Sequence, residues 1–513
     1  FFKQKTAYEI VDCDWSSDVC SSDLGVYALM PKGFFPQQDT AAVWLVTEAP
    51  PDTGFAAMAE RQRQLSDLYL NHPQVQSVAS FMGVDGQNPT LHQARMLIAL
   101  RPKAERKPDL PALLDEFEAL GKRLPGTRVH AQAVQDLTLD DRIARTPYSL
   151  MLSGPDLSAL SQWATRLVER LQDDPRVSDL SGDHDAIGLQ AHVQIDREAA
   201  ARLGVSVAAI DQALYSAYGQ RLVSTIFTQS NQYRVVLEAD PQRRGGPSDL
   251  LRLKVPSLTG ALVSLSSVAT VTELPARLQI SHVGQFPAVT LHFNPGPGAA
   301  LGDAVRSFQE ALTELRAQGM PASIETRFEG AASAFRDSLT NTLWLVLAAV
   351  ITMYIVLGVL YESYIHPLTI LSTLPSAALG ALLALWLSGH ELGMMAVIGI
   401  ILLIGIVKKN AIMMIDFALD AQREQGLPPR RAIEQACRMR FRPILMTTLC
   451  ALLGALPLML GQGVGSELRQ PLGLTLVAGL ALSQLLTLYT TPVIYLAFAR
   501  WHRQGASHHQ GMS

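Results

Sequence analysis

Two lysines and an asparagine stand together in Val407–Ala418, VKKNAIMMIDFA, inside a segment whose other residues suit hydrocarbon. From Gly393 to Leu419 the chain is apolar apart from Lys408, Lys409, Asn410 and Asp416, and about 20 such residues suffice for a helix to cross a bilayer. An ammonium at mid-helix costs roughly 2.5–3.5 kcal/mol on insertion scales unless it finds a partner, so the residue type itself points to ion or proton chemistry. The bland alternative is that both lysines snorkel to an interface, as long cationic side chains near helix ends do. Lys409 suits that alternative less, with an apolar run from Gly393 before it and AIMMI after it. Adjacent helical residues point about 100° apart, so only one of the two can face a given partner. The acids Glu362, Glu391 and Glu467 sit at the ends of apolar spans, and Asp416 is about 10 Å further along the same helix. No carboxylate of this sequence is placed to pair with Lys409 and cycle a proton, so a titrating partner is expected from helices outside it.

Other chemistry-bearing residues carry weaker signals. His130, His184, His192, His282 and His292 have neither H-x-x-x-H spacing nor a nearby cysteine, which argues against metal or catalytic roles. The cysteines are Cys13, Cys20, Cys437 and Cys450, so the polar region between them holds no disulfide scaffold. GPGAALG (Gly296–Gly302) lacks dinucleotide-loop spacing and reads as a turn opening a helix. Met30, Met58, Met82, Met96, Met151 and Met320 are dispersed, which counts against a copper- or silver-exporting protein. No nucleophile–base pair or metal set falls in any span, so an enzyme is not expected.

The elements that must position these residues divide the 513-residue chain sharply. Trp344 to Trp501 is dominated by long apolar runs, whereas Thr40 to Arg336 has an ordinary soluble composition. Net charge is −4 with both signs interspersed, and no basic block suggests nucleic acid. Residues 1–24 show no helical, strand or signal-peptide pattern and read as a non-native artefact resembling translated adapter sequence, so that the real chain would begin in mid-gene. Residues 25–39 then read as a linker from a preceding helix.

From residue 40 to 145 the periodicities predict strand, helix, strand, strand, helix, strand, the split βαβ order of a ferredoxin-like unit. Its first helix, near Thr53–Leu70, would bury Phe55, Met58, Leu65 and Leu68, and its second Leu110, Leu113, Leu114 and Phe117. A second such unit, 146–187 and 277–330, is interrupted by a mostly β insert, 188–276. Five apolar spans follow within 337–503, near Leu343–Leu360, Pro367–Leu387, Gly393–Leu419, Pro443–Leu460 and Leu472–Phe498, with 504–513 as a tail. Asp420–Arg442 is expected as the one long loop between spans. It carries Arg423, Arg430, Arg431, Arg438, Arg440 and Arg442, and with Arg500 and Arg503 this places loop and tail in the cytoplasm by the positive-inside rule. The soluble part then lies in the periplasm. The expected fold class is α+β, ferredoxin-like porter subdomains above an all-α bundle of five transmembrane helices.

This order, together with MPKGFFPQQD (Met30–Asp39), YGQRLVSTIFTQSNQYRVVLE (Tyr218–Glu238), LYESYIHP (Leu360–Pro367), GIVKKNAIMMIDFA and RFRPILMTTL (Arg440–Leu449), resembles the resistance-nodulation-division (RND) multidrug efflux pumps, and among them the MdtB/MdtC type. The resemblance covers Gly25 to about Arg503 and matches only the second half of a twelve-helix protomer. It implies a trimeric, proton-driven drug antiporter, homomeric or paired with a sister subunit, docked to a periplasmic adaptor and an outer-membrane channel in the inner membrane. No cofactor beyond the proton motive force is implied. The family's proton-relay lysine falls on Lys409, beside Asn410, and its relay arginine and threonine fall on Arg440 and Thr447. The switch loop between drug pockets falls on Phe81, Met82, Gly83, Val84, Asp85, Gly86, Gln87 and Asn88, where two glycines free the backbone and Phe81 and Met82 offer adaptable apolar contact. The insert falls on the funnel-forming docking subdomain. The other functional class is a non-transporting relative that assists assembly or protein export, and a mid-membrane lysine favours the transporter.

Overall fold

The computed structural model of the chain describes residues 25–84, 90–138, 145–183, 187–240 and 246–509. Residues 1–24, read above as non-native, and Asp85, Gly86, Gln87 and Asn88 of the implied switch loop lie outside these ranges.

Strand β1 (Ala42–Glu48) turns Val43, Leu45 and Thr47 inward and Trp44 to the other face, as a pleated strand must. Helix α1 (Phe55–Leu70), β2 (Val75–Met82), β3 (Gln93–Leu100), α2 (Leu110–Gly121) and β4 (Arg128–Ala133) follow. The strands form one antiparallel sheet in the order β2-β3-β1-β4, and both helices share a core with its inner face. Helix α2 buries the expected Leu110, Leu113, Leu114 and Phe117 behind Pro111. In α1 the expected stripe is corrected: Phe55 is exposed and Leu68 half-buried, and the inward residues are Met58, Gln62, Leu65 and Tyr69. The two polar members find partners inside, Thr47 Oγ1 donating to Gln62 Oε1 at 3.0 Å and Tyr69 donating to the Phe117 carbonyl at 2.9 Å.

Strand β5 (Tyr148–Ser153), α3 (Leu157–Leu171) and β6 (Val177–Gly182) precede the insert, which belongs to a compact unit of its own made of residues 184–280 with 50–54. That unit contains β7 (Ile187–Ile195), α4 (Arg197–Arg202), α5 (Val207–Tyr218), β8 (Arg221–Phe227), β9 (Gln232–Leu237), α6 (Pro247–Leu250), β10 (Lys254–Pro256), β11 (Leu262–Ser264) and β12 (Ala269–Arg277). Strands β7 and β12 pair along their length, over a small core of Ala200, Val205, Ile210, Val255, Leu265 and Val268. The mostly β expectation is thus interrupted by α4 and α5. Each opens on a side-chain cap: Asp196 accepts from the Glu198 and Ala199 N–H groups, and Ser206 from that of Ala209. Hairpin β8–β9 leaves Leu222, Ile226, Phe227, Tyr233 and Val235 exposed.

The chain returns as β13 (Ser281–Val283), β14 (Phe286–Pro295), α7 (Leu301–Ala317) and β15 (Glu325–Glu329). Strands from both sides of the insert share one sheet, β14 pairing with β5 and β6, and β5 with β15. Leu160, Leu167 and Leu171 of α3 and Leu301, Val305, Phe308, Leu312 and Leu315 of α7 fill its core. Residues 30–39 are packed rather than free. Met30 joins Leu382, Leu385 and Leu392, Phe34 enters the core beside Phe335, and Asp39 meets Arg106.

Strand β15 runs directly into α8 (Gly330–Tyr361), followed by α9 (Ile365–Leu371), α10 (Leu374–Leu387), α11 (Met394–Gln425), α12 (Pro429–Leu460) and α13 (Ser466–His509). Among the described residues five stretches are long and apolar enough to cross a membrane: Trp344–Tyr361, Ile365–Leu387, Met394–Gln425, Pro429–Leu460 and Ser466–Ala499. The second is interrupted at Ser372 and Thr373, where Pro375 removes the N–H that Leu371's carbonyl would otherwise accept. The expected loop Asp420–Arg442 is instead helix on both sides of a tight turn. Gly426 ends α11 in the left-handed region at φ 63°, and Pro428 and Pro429 start α12. Arginines that looked like loop composition line helix ends. Small residues let the bundle close: a Cβ on Gly380 would lie 3.1 Å from the Ala478 carbonyl and 3.2 Å from Gly479 Cα.

Candidate functional site

Helix α11 sorts its polar residues by face. Leu403, Val407, Asn410, Ala411, Met414 and Ala418 turn inward, whereas Ile398, Leu402, Ile406 and Lys409 form an exposed stripe at spacings of four, four and three. Lys408, one position back, is 1% exposed, and its Nζ has no hydrogen-bond partner among the described residues. The two lysines therefore face different surroundings. Asp416 is exposed on the stripe of Lys409, two turns on.

Asn410 is the centre of a network across three helices. Its Nδ2 donates to Thr448 Oγ1 of α12 at 3.1 Å and to Gln484 Oε1 of α13 at 3.0 Å, and Thr448 Oγ1 donates to Gln484 Oε1 at 2.7 Å. Thr447, on which the family threonine falls, is half-buried and donates to the carbonyl of Ile444 on its own helix at 3.1 Å. Its neighbour Thr448 is the one that meets Asn410. Arg440 lays its guanidinium 4.9 Å from the centre of the Phe417 ring. Phe417 is eight residues beyond Lys409, about 12 Å along the axis. Arg440 and Lys409 are thus near one helix but not brought together. Sequence reasoning missed Thr448 and Gln484; the period that places 410, 448 and 484 on facing stripes could have found Thr448, while Gln484 lies in a run whose apolar neighbours hid it.

A second feature lies on the outer face of the first sheet. Phe81 and Met82 are not loop residues but end β2, paired with Arg95 and Ala94 of β3. Successive strand residues face opposite ways. Phe81 is 42% exposed, with its ring 6.3 Å from that of Trp44 and 5.5 Å from the Arg95 guanidinium. Met82 turns under the sheet against Met58, Ala49 and Ala94. Leu97, His130 and Gln132 are half-buried and share the register of Trp44 and Arg95, completing an open face of aromatic, apolar and cationic groups. Gly83 leaves the strand at φ 94°.

Behind that turn, His92 is buried, its pKa lowered chiefly by burial, with Glu48 opposing the shift and Arg145 adding to it. Folding therefore favours the neutral ring, and the stability it supplies is fully present above the unfolded value near 6.5 and lost as pH falls from there through the lower folded value. As pH falls below about 6.5 the Ala49 N–H, which donates to the His92 carbonyl at 2.9 Å, should lose protection relative to the intrinsic exchange rate at each pH. His92→Leu should remove that pH dependence; an unchanged profile in the variant would assign it elsewhere.

No group of three or more His, Cys, Asp or Glu side chains able to hold a metal occurs among the described residues. The methionines are less dispersed than they look in sequence, since Met58 touches the Met82 cluster, but two thioethers among alanines are ordinary packing.

Two crystal structures of a heavy metal efflux pump are similar to this chain along most of its length. Their TM-scores are 0.81 and 0.79, each at 25% sequence identity, covering 94% and 95% of this chain and 50% and 51% of those chains. The chain thus spans about half the length of these solved relatives. The pattern of the AcrB/AcrD/AcrF family, whose members are transporters and not enzymes, matches residues 19–499. With that match over most of its length, the chain belongs to the AcrB/AcrD/AcrF family of RND efflux transporters.

Proposed function

We propose that this chain forms the second half of a proton-driven drug/proton antiporter of the MdtB/MdtC type. The observation that carries the reading is Lys409, a cation on the outward stripe of α11 that follows the apolar Ile398, Leu402 and Ile406 and precedes Asp416 by two turns. Such a stripe suits another helix, and the lysine suits a carboxylate on that helix. Protonation of the carboxylate would release the lysine and let the bundle move between two packings. The two porter units would be ferredoxin-like subdomains, which their βαββαβ order and 2-3-1-4 sheets support. The arginines at the α11–α12 turn support a cytoplasmic C-terminus with the sheet units on the periplasmic side, and the family supports an inner-membrane location. Trimer formation, with an adaptor and an outer-membrane channel, is in keeping with the apolar side chains exposed on hairpin β8–β9.

For substrate, the open face bearing Trp44, Phe81 and Arg95 suits flat organic molecules, which aromatic and guanidinium groups can stack upon. The similar crystal structures are of a heavy metal efflux pump, and that likeness is what favours a metal ion as the second reading. In an intact pump carrying this chain, Phe81→Ala and Trp44→Ala should change resistance unevenly across organic compounds, and Met58→Leu should leave metal tolerance unchanged. Uniform changes across compounds, or metal sensitivity in the methionine variant, would favour the metal reading.

A further inference from the structure

Lys408 is a buried cation that the proposed relay does not use. The helices of this chain enclose it, so unlike Lys409 it has no open side on which another helix could meet it. Its level in the bundle follows from the packing around Gly479. A Cβ there would meet the Leu403 side chain and, at 3.2 Å, the Ala377 carbonyl. Five residues further along α11 stands Lys408. The same rise, about 7.5 Å, leads along α13 to Gln484, whose bond to Asn410 confirms the level, and in the antiparallel second span back to Ser372. Ala411 and Ile415, on the Lys408 side of α11, pack in one cluster with Ile370 and Leu357. Lys408 thus lies at the seam between α11 and the break separating α9 from α10.

That seam is lined by hydroxyls. Thr373 and Ser376 are 0% and 5% exposed and, among the described residues, their hydroxyls donate to carbonyls of the same span, that of Ile370 at 2.8 Å and that of Thr373 at 2.7 Å. At the same level α13 turns Ser483 and Thr487 inward, 2% and 3% exposed. Among the described residues of the spans no buried carboxylate stands at that level. Residues 344–361 and 365–387 contain none, the single acid of α13 is Glu467 at its start, and Asp416, Asp420 and Glu424 of α11 and Glu434 of α12 are exposed. A buried ammonium with no acid beside it needs a counter-charge that enters from solution. Serine and threonine hydroxyls rotate and donate as readily as they accept, so around an ammonium they suit a small spherical anion.

We propose that Lys408, with the hydroxyls of Thr373 and Ser376, holds a halide ion inside the helical bundle, chloride under ordinary salt. The ion neutralises the lysine and ties the broken second span to α11. The inference does not depend on the reading of Lys409, since it concerns the other face of the helix.

The test uses the full chain purified into lipid nanodiscs, with chloride exchanged for gluconate at constant sodium and ionic strength. The unfolding temperature should fall by several degrees in gluconate and recover in bromide. Lys408→Met should unfold at one temperature in all three salts, and Ser376→Ala should need about tenfold more chloride for the same effect. In crystals grown with bromide, an anomalous peak should stand within hydrogen-bond reach of Lys408 Nζ, a readout that needs no variant to fold. Equal unfolding temperatures in chloride and gluconate, a halide effect that survives Lys408→Met, or no bromide at Lys408 would each overturn the proposal. A neutral amine solvated only by water would give the first of these results.

Discussion

Replacing Lys409 by alanine in a full-length pump that carries this chain is expected to abolish proton-driven efflux, lowering it by a factor of about 100 or more. The magnitude follows from the partner the lysine is proposed to have. A carboxylate buried against Lys409 and left without it is an uncompensated charge, worth about 3–5 kcal/mol, which is a factor of over 100 in an equilibrium. The carboxylate would then stay protonated at working pH, and the two-state cycle would stop in one packing. Substrate binding and assembly should survive, because Lys409 lies on a stripe of α11 remote from the open sheet face and outside the Asn410–Thr448–Gln484 network. The measurement is drug efflux by inverted or intact vesicles under an imposed proton gradient, with the amount of assembled protein held equal. Coupled efflux that persists in Lys409→Ala would end the relay reading.

Much of the scaffold was legible because burial has a period. Leu110, Leu113, Leu114 and Phe117, or Leu301, Val305, Phe308 and Leu312, announce a helix face with no further help. What the sequence hid has three physical causes. Polar side chains can be core, as Gln62 and Tyr69 are, when a hydroxyl or carbonyl meets them. Helices do not stop where hydrocarbon stops, so the arginines from Arg423 to Arg442 have the composition of a loop although Gly426 and Pro428–Pro429 mark the turn. Side-chain direction within a run is set by packing, which separates Lys408 from Lys409 and Phe81 from Met82. Of the relay residues that the family resemblance implied, Asn410 lies in a network with Thr448 rather than Thr447, and Arg440 stacks on Phe417. Those pairings depend on distant helices, and no local pattern encodes them.

The largest loss of stability is expected at a pair that no motif signals. Arg106 and Asp39 have side chains 1% and 7% exposed, with Nη2 donating to Oδ1 at 2.5 Å. The same Oδ1 accepts the Ala41 N–H at 3.2 Å, and Ala41 stands in the left-handed region at φ 57°, an uncommon conformation for a residue with a Cβ. Asp39 thus both neutralises Arg106 and holds the bend from which β1 departs. Removing one partner leaves the other charged and buried, so Arg106→Leu is expected to destabilise the protein by about 3–5 kcal/mol. Adding Asp39→Leu should recover part of that loss, because two apolar side chains need no counter-charge, while the bend at Ala41 keeps the double variant below the parent. Trp44 in β1 lies five residues from Asp39, so its fluorescence during thermal unfolding reports the region directly. A single variant that loses under about 1 kcal/mol, or a double variant whose loss is the sum of the singles, would show that the pair is screened by water and not closed by the fold. Burial decides the magnitude: the same two side chains at the surface would contribute almost nothing, and only their enclosure makes either charge costly to leave alone.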